Sequence, residues 1–268
     1  ATGSKPVLRI NGDLLPIEEH AEITNQNAQE YLMELMDERA QQMFKEKMDC
    51  DFSVEVPGVA RFRVNVFTHR KGITGIFRLI PSHITSMDQL GLPESLKKIP
   101  NIHHGLVLVT GPAGSGKSTT LAAIVNEVNE QHDKHIITIE DPIEFVHENK
   151  KSIIEQREIG TNTVSFDRAL RGVLREDPNV ILVGEMRDLE TMSLAITAAE
   201  TGHLVFATLH TSGAARTVDR IIDAFPAEKQ NQVRTQLADI LRAVVWQQLL
   251  KRADGTGRIG AFEILFTT

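Results

Sequence analysis

The stretch Leu106-Val-Leu-Val-Thr-Gly-Pro-Ala-Gly-Ser-Gly-Lys-Ser-Thr119 decides the fold. Leu106–Thr110 is a short apolar run rich in β-branched residues, which predicts a strand buried on both faces. From Ser118 to Gln131 the apolar spacing becomes helical. Between them, Gly111 to Ser118 match G-x-x-x-x-G-K-[ST] in full, in the strand-turn-helix setting that pattern requires. Gly111, Gly114 and Gly116 let the backbone curl until several N–H groups point inward, and the helix N-terminus adds partial positive charge. Such a turn cradles the phosphates of a nucleotide. Lys117 reaches the β- and γ-phosphates, and the Ser118 hydroxyl ligates magnesium; Ala113, Ser115 and Thr119 complete the expected nucleotide loop.

Outward from this loop, His135–Glu140, Val180–Gly184 and His203–Leu209 read as further strands, with helices at Phe166–Arg175 and Leu189–Thr201. Apolar strands alternating with amphipathic helices predict an α/β architecture, a parallel sheet covered on both faces. After Pro226 a long helical pattern runs to about Arg252, and Arg258–Phe266 closes as a strand.

The first hundred residues read instead as α+β. Strands are expected at Val7–Ile10 and Leu14–Ile17 around an Asn11-Gly12-Asp13 turn. A helical stripe follows over residues 26–48, then strands at Phe52–Val56, Ala60–Phe67 and Ile73–Ile80. Residues 81–105, with Pro81, Pro93, Pro100 and the pair His103-His104, are expected to form a linker with one short helix, about Met87–Lys98.

In an open parallel sheet, ligands sit at the carboxyl ends of the strands. Two acidic clusters fall there. Glu140, Asp141 and Glu144 could hold magnesium, or position a water and take its proton; a solvated acidic turn is the plain alternative. Val180-Ile-Leu-Val-Gly-Glu185 has the Walker B pattern, so Glu185 can hold magnesium or its water shell; helix capping or ion pairing by the Glu185–Asp188 cluster is the plain alternative. His210, just past another strand, can contact a γ-phosphate or simply be structural. Phosphoryl transfer also needs cations on the γ-phosphate. Arg61, Arg63 and Arg78 alternate with Phe62, Val64 and Phe77, which puts arginines on one sheet face, either for that purpose or as a solvated basic surface.

Composition narrows the field. With 29 basic and 36 acidic side chains among 268 residues, the formal charge is −7, which disfavours wrapping a nucleic-acid backbone. The single cysteine, Cys50, excludes an internal disulfide and a multi-cysteine zinc site, and is expected to be a packed or partly exposed thiol. No apolar run is long enough to span a membrane. The start, Ala1-Thr-Gly-Ser-Lys-Pro6, has neither an initiator Met nor an apolar signal region and reads as a processed or shortened end.

Taken together, these motifs resemble the secretion-ATPase superfamily of type IV pilus and type II secretion motors, most closely its PilT-type pilus retraction branch. The carrying residues are Val54–Asn65, the phosphate loop, Ile136-Ile-Thr-Ile-Glu-Asp-Pro-Ile-Glu-Phe-Val-His147, Leu174–Pro178 through Val183–Glu190, Ala198–His203, Thr208–Thr211 and Asp223–Pro226. They run from about Leu8 to Phe266. The resemblance implies a RecA-like ATPase core over 105–268 and a PAS-like domain over 1–100. It implies that Glu144 is the general base and Glu185 the Walker B acid. His203 and His210 map to the two His boxes, and Arg63 and Arg78 to arginines given to the nucleotide. The implied assembly is a cytoplasmic hexameric ring, peripheral to the inner membrane, working on a pilus platform protein with ATP, ADP and Mg2+ and without nucleic acid. Lacking four cysteines, the chain fits the retraction branch rather than extension or type II secretion ATPases. It ends at Thr268 without the Ala-Ile-Arg-Asn-Leu-Ile-Arg-Glu segment of retraction ATPases, and the expectation is a shortened chain or a divergent homologue. The alternatives are another motor of the superfamily, a nucleic-acid translocase, or an inactive nucleotide-binding regulator.

Overall fold

The computed structural model describes residues 1–10, 13–81, 83–255 and 257–267. The expected turn at Asn11-Gly12 lies outside them. The chain divides into two compact units, Ala1–Ser82 and His83–Thr268.

The first unit contains an antiparallel pair, β1 (Val7–Ile10) and β2 (Asp13–Pro16), two helices, α1 (Asn25–Leu35) and α2 (Glu38–Lys47), and an antiparallel sheet of β3 (Asp49–Val56), β4 (Ala60–His69) and β5 (Gly72–Ile80). The helical stripe over 26–48 is therefore two helices. Asp37 makes the break: its Oδ1 accepts the Ala40 N–H at 2.7 Å as the N-cap of α2. Gln41 Nε2 in turn donates to the Met33 and Met36 carbonyls that end α1. Ala28, Leu32, Ala40, Cys50, Val64, Val66 and Ile73 form this unit's core. Cys50 is a buried free thiol whose pKa burial pushes up to about 11, with Asp49 and Asp51 adding to the rise; it is chemically quiet.

The second unit is α/β. It comprises a 3-10 helix (Glu94–Asn101), β6 (Gly105–Thr110), α3 (Lys117–Gln131), β7 (His135–Glu140), β8 (Ile153–Glu158), α4 (Phe166–Val173), β9 (Val180–Val183), α5 (Leu189–Glu200), β10 (Leu204–Leu209), α6 (Ala214–Asp223), α7 (Ala227–Ile240), β11 (Leu241–Lys251) and β12 (Arg258–Phe266). Its seven strands lie in the order β12-β11-β6-β10-β9-β7-β8. All pair in parallel except β12, which runs antiparallel to β11, so the sheet is mixed. Every residue of β6 and β10 is buried, which explains their uninterrupted apolar reading. One face packs on α4 to α7, the other on α3 and the 3-10 helix.

Two sequence expectations are corrected. Residues 227–252 are not one helix: α7 stops at Ile240 and the chain enters the sheet as β11. Val244 belongs to one core and its neighbours Ala243 and Val245 to the opposite one, the two-sided burial only a strand provides. The segment 81–105 is not a free linker. Met87, Leu92, Leu96 and Ile99 are buried in the second unit's core, so the division falls at 82/83 rather than at the expected limits of 100 and 105. The edge strand β8 and the helix α6 had no counterpart in the sequence reading.

Candidate active site

The phosphate loop joins β6 to α3 at the carboxyl end of the sheet. Gly111, Gly114 and Gly116 all take positive φ, of 139°, 73° and 89°. At Gly111 a second constraint applies: an added Cβ would stand 2.2 Å from the Gln247 carbonyl oxygen of β11. Gln247 also supports the loop from below, its Nε2 donating to the Ser115 carbonyl at 2.7 Å while the side chain is 2% exposed. Ala113 borders a cleft of about 610 Å³ shared with Pro112, His210, Arg216, Arg220 and Trp246. Ser118 and Thr119 stand in the first turn of α3, whose leading N–H groups have no partner within the helix.

Lys117 is nearly buried and donates to the carbonyls of Gly111 and Pro112 at 3.0 and 3.1 Å. Desolvation lowers its pKa, opposed by the charges of Glu185 and Glu144. Both proposed carboxylates therefore act on the lysine that the motif assigns to phosphate. Lys117 Nζ lies 3.4 Å from His210 Nδ1, and His210 Nε2 lies 3.3 Å from Glu185 Oε1. Glu185 Oε2 accepts from Arg187 Nε at 2.8 Å, and Arg187 reaches Asp141 at 3.5 Å. The ends of β7, β9 and β10 are tied together below this chain of contacts: Gly184 N–H donates to Ile139 O, Met186 N–H to Thr208 O, and the Thr208 hydroxyl to Gly184 O.

The structure thus brings Lys117, Glu185 and His210 into one chain of contacts, and the charge of Glu144 acts on the same lysine. His203 is not there. It sits at the opposite end of β10, its Nδ1 2.9 Å from the Ala198 carbonyl near the end of α5. Arg63 and Arg78 belong to the first unit, where they face each other as a cross-strand pair of β4 and β5. Asp51 lies 3.8 Å from Arg63.

The sequence profile of the type II/IV secretion system proteins matches residues 8–262, nearly the whole chain. The chain belongs to that family. It is 50% identical, over its full length and 77% of the relative's, to a Pseudomonas aeruginosa protein named type IV pilus retractation ATPase PilT. A Neisseria gonorrhoeae protein named twitching motility protein is 52% identical, across 97% of this chain and 69% of its own. A crystal structure of the pilus retraction motor PilT with bound ADP superposes with a TM-score of 0.96 at 47% identity, covering 100% of this chain and 78% of that one. The protein is an ATPase of the secretion-ATPase superfamily, as its motifs led us to expect.

In this secretion ATPase, sequence reasoning missed one residue beneath the phosphate loop and did not separate the parts played by two others. Gln247 was hidden by the helical reading of β11. Arg187 lay inside the Glu185–Asp188 cluster, and the ion pairing and helix capping weighed for that cluster both occur: Arg187 pairs with Glu185, and Asp188 Oδ1 accepts the Thr191 N–H at 2.8 Å as the N-cap of α5. Glu140 was grouped with its neighbours as an acid of equal standing, yet its carboxyl is enclosed. It accepts from Thr138 Oγ1 at 2.7 Å and Gln156 Nε2 at 3.1 Å, and burial pushes its pKa up from 4.5 to about 7. A carboxyl whose folded pKa is raised releases its proton more readily when unfolded. The resulting destabilisation is absent below pH 4.5, grows between 4.5 and about 7, and is complete above that. We expect Glu140→Gln to stabilise the second unit by up to about 3 kcal/mol at pH 8, at ~1.4 kcal/mol per pH unit, with the gain vanishing near pH 4.5. Urea-unfolding midpoints of both proteins across pH check this, and a gain independent of pH would refute it.

The metal expected here is magnesium. Among the described residues no group of three or more His, Cys, Asp or Glu side chains is arranged to hold a metal. Magnesium bound largely through nucleotide phosphates and water needs only one or two hard oxygen ligands from protein. The Ser118 hydroxyl and Glu185 carboxylate are of that kind. No helix among the described residues is long and apolar enough to cross a membrane.

Proposed function

We propose that this ATPase is a pilus retraction motor subunit that works as a hexameric ring in the cytoplasm, against an inner-membrane platform protein. The observation that carries the ATPase mechanism is the contact chain Lys117–His210–Glu185 beside the phosphate loop, with Glu144 acting on the same lysine. Lys117 and the loop N–H groups hold the β- and γ-phosphates. Ser118 and Glu185 would hold magnesium, which would supply charge neutralisation at the phosphate oxygens. Glu144 orients a water and takes its proton as the water oxygen bonds to the γ-phosphorus and the bond to the bridging oxygen of ADP breaks. His210 stabilises the charge that develops.

Arg63 and Arg78 enter this proposal through the family resemblance, which gives arginines at their places to the nucleotide. Two arginines directly opposed across strands repel each other, and an anion between them relieves that repulsion. Guanidinium groups remain charged and grip phosphate oxygens in a fork. The PAS-like character of the first unit rests on the family resemblance.

The test is ATP turnover on size-fractionated protein, with and without magnesium and DNA. We expect turnover in the ring-sized fraction, its loss on chelation, no response to DNA, and a strong fall in turnover with little change in ADP affinity for Arg63→Ala and Arg78→Ala. Turnover stimulated by DNA would favour a translocase. No turnover in any fraction would favour a binding regulator.

A further inference from the structure

The segment that carries Glu144 has no secondary structure of its own. It leaves β7 at Glu140 and returns at Ile153, and its backbone polar groups must find partners elsewhere. Ile143 and Phe145, on either side of Glu144, are buried, so Glu144 is presented between two anchors. Those anchors are fixed by the edge strand β8. Gln156 and Glu158 stand two residues apart on one face of β8, together with buried Ile154. Glu158 Oε2 accepts the Ile143 N–H at 3.1 Å. Gln156 uses both ends of its amide: Nε2 donates to the Phe145 carbonyl at 2.8 Å, and Oε1 accepts the His147 N–H at 2.8 Å. The same Nε2 donates to Glu140, whose carboxylate also accepts the Glu144 backbone N–H.

We propose that Gln156 is a positioning residue for hydrolysis: by gripping the backbone at Phe145 and His147 and the Glu140 carboxylate at once, it sets where the Glu144 carboxylate stands. Glu158 secures the other flank. The inference rests on Glu144 being the general base. A neutral amide suits the task because it must donate in two directions and accept in a third; a carboxylate can only accept.

Gln156→Glu therefore keeps shape and the His147 contact, but loses both donated bonds and sets a second carboxyl against Glu140. In the full chain we expect kcat for ATP to fall at least about 10-fold, since small misplacements of a catalytic group are costly. KM and the affinity for a fluorescent ADP analogue should stay within about twofold, because the phosphate loop is untouched. In a Glu144→Gln background the same change should add less than about twofold, as expected for residues acting as a unit. Gln156→Met, uncharged and of similar length, is read by the same split should the added carboxyl unfold the chain. Unchanged kcat, a parallel loss of ADP affinity, or full additivity with Glu144→Gln each overturns the positioning role. Wild-type turnover in Glu144→Gln alone would instead remove the base assignment on which it rests.

Discussion

Replacing Lys117 by alanine lowers ATP turnover by roughly 10²–10³-fold or more, the scale for losing a main charge-stabilising donor from an active site. The structure explains why no neighbour substitutes. Lys117 is nearly buried, and the carboxylate charges of Glu185 and Glu144 act on it. Without the ammonium, those carboxylates face the phosphates directly, so nucleotide binding also falls. Lys117→Arg does not restore activity, because a planar fork does not fit where a compact head meets two carbonyls at 3.0 and 3.1 Å. Phosphate release and binding of a fluorescent ATP analogue measure both effects. Turnover like wild type would sink the assignment of this loop.

The second large effect separates binding from chemistry. Glu144→Gln keeps the side-chain shape and removes the group that takes the proton. We expect ATP binding to persist while hydrolysis falls roughly 10²-fold or more, the range for a lost general base. Glu185→Gln is the control, because Glu185 is held by His210 and Arg187 and is proposed to organise the metal. A block at Glu185 with none at Glu144 would move the base to the other carboxylate.

The parts legible in the sequence are those where local and tertiary preferences agree. The phosphate loop has three glycines at positive φ between a fully buried strand and a helix, and each of these leaves its mark in residue type. Where one pattern satisfies two periods, the reading failed. In Leu241–Lys251 the apolar residues fit a helical stripe as well as a buried strand. The β-branched and aromatic run Val244-Val245-Trp246 was the available signal. The edge strand β8 carries Glu155, Gln156, Arg157 and Glu158, so its composition resembles a loop. Prolines suggested a linker over 81–105, although Leu96 and Ile99 are fully buried. In the site, charged and glycine-rich motifs were visible in sequence. The neutral amides Gln156 and Gln247 were not, because their importance lies in what they touch.

The position of β11 also bears on how the polypeptide is made. Its parallel partner is β6, with Leu106 opposite Leu241, so the strand that seats the phosphate loop is made long after the loop itself: Gln247 follows Ser115 by 132 residues. Until then β6 has an open apolar edge, and Gly111 and Ser115 lack the Gln247 support. A nascent chain that has already produced its whole nucleotide motif is thus still without a finished binding site. Long-range parallel pairing of this kind forms slowly and leaves sticky edges exposed while it waits. Nucleotide capture therefore waits for β11 rather than for the motif that carries the phosphate contacts.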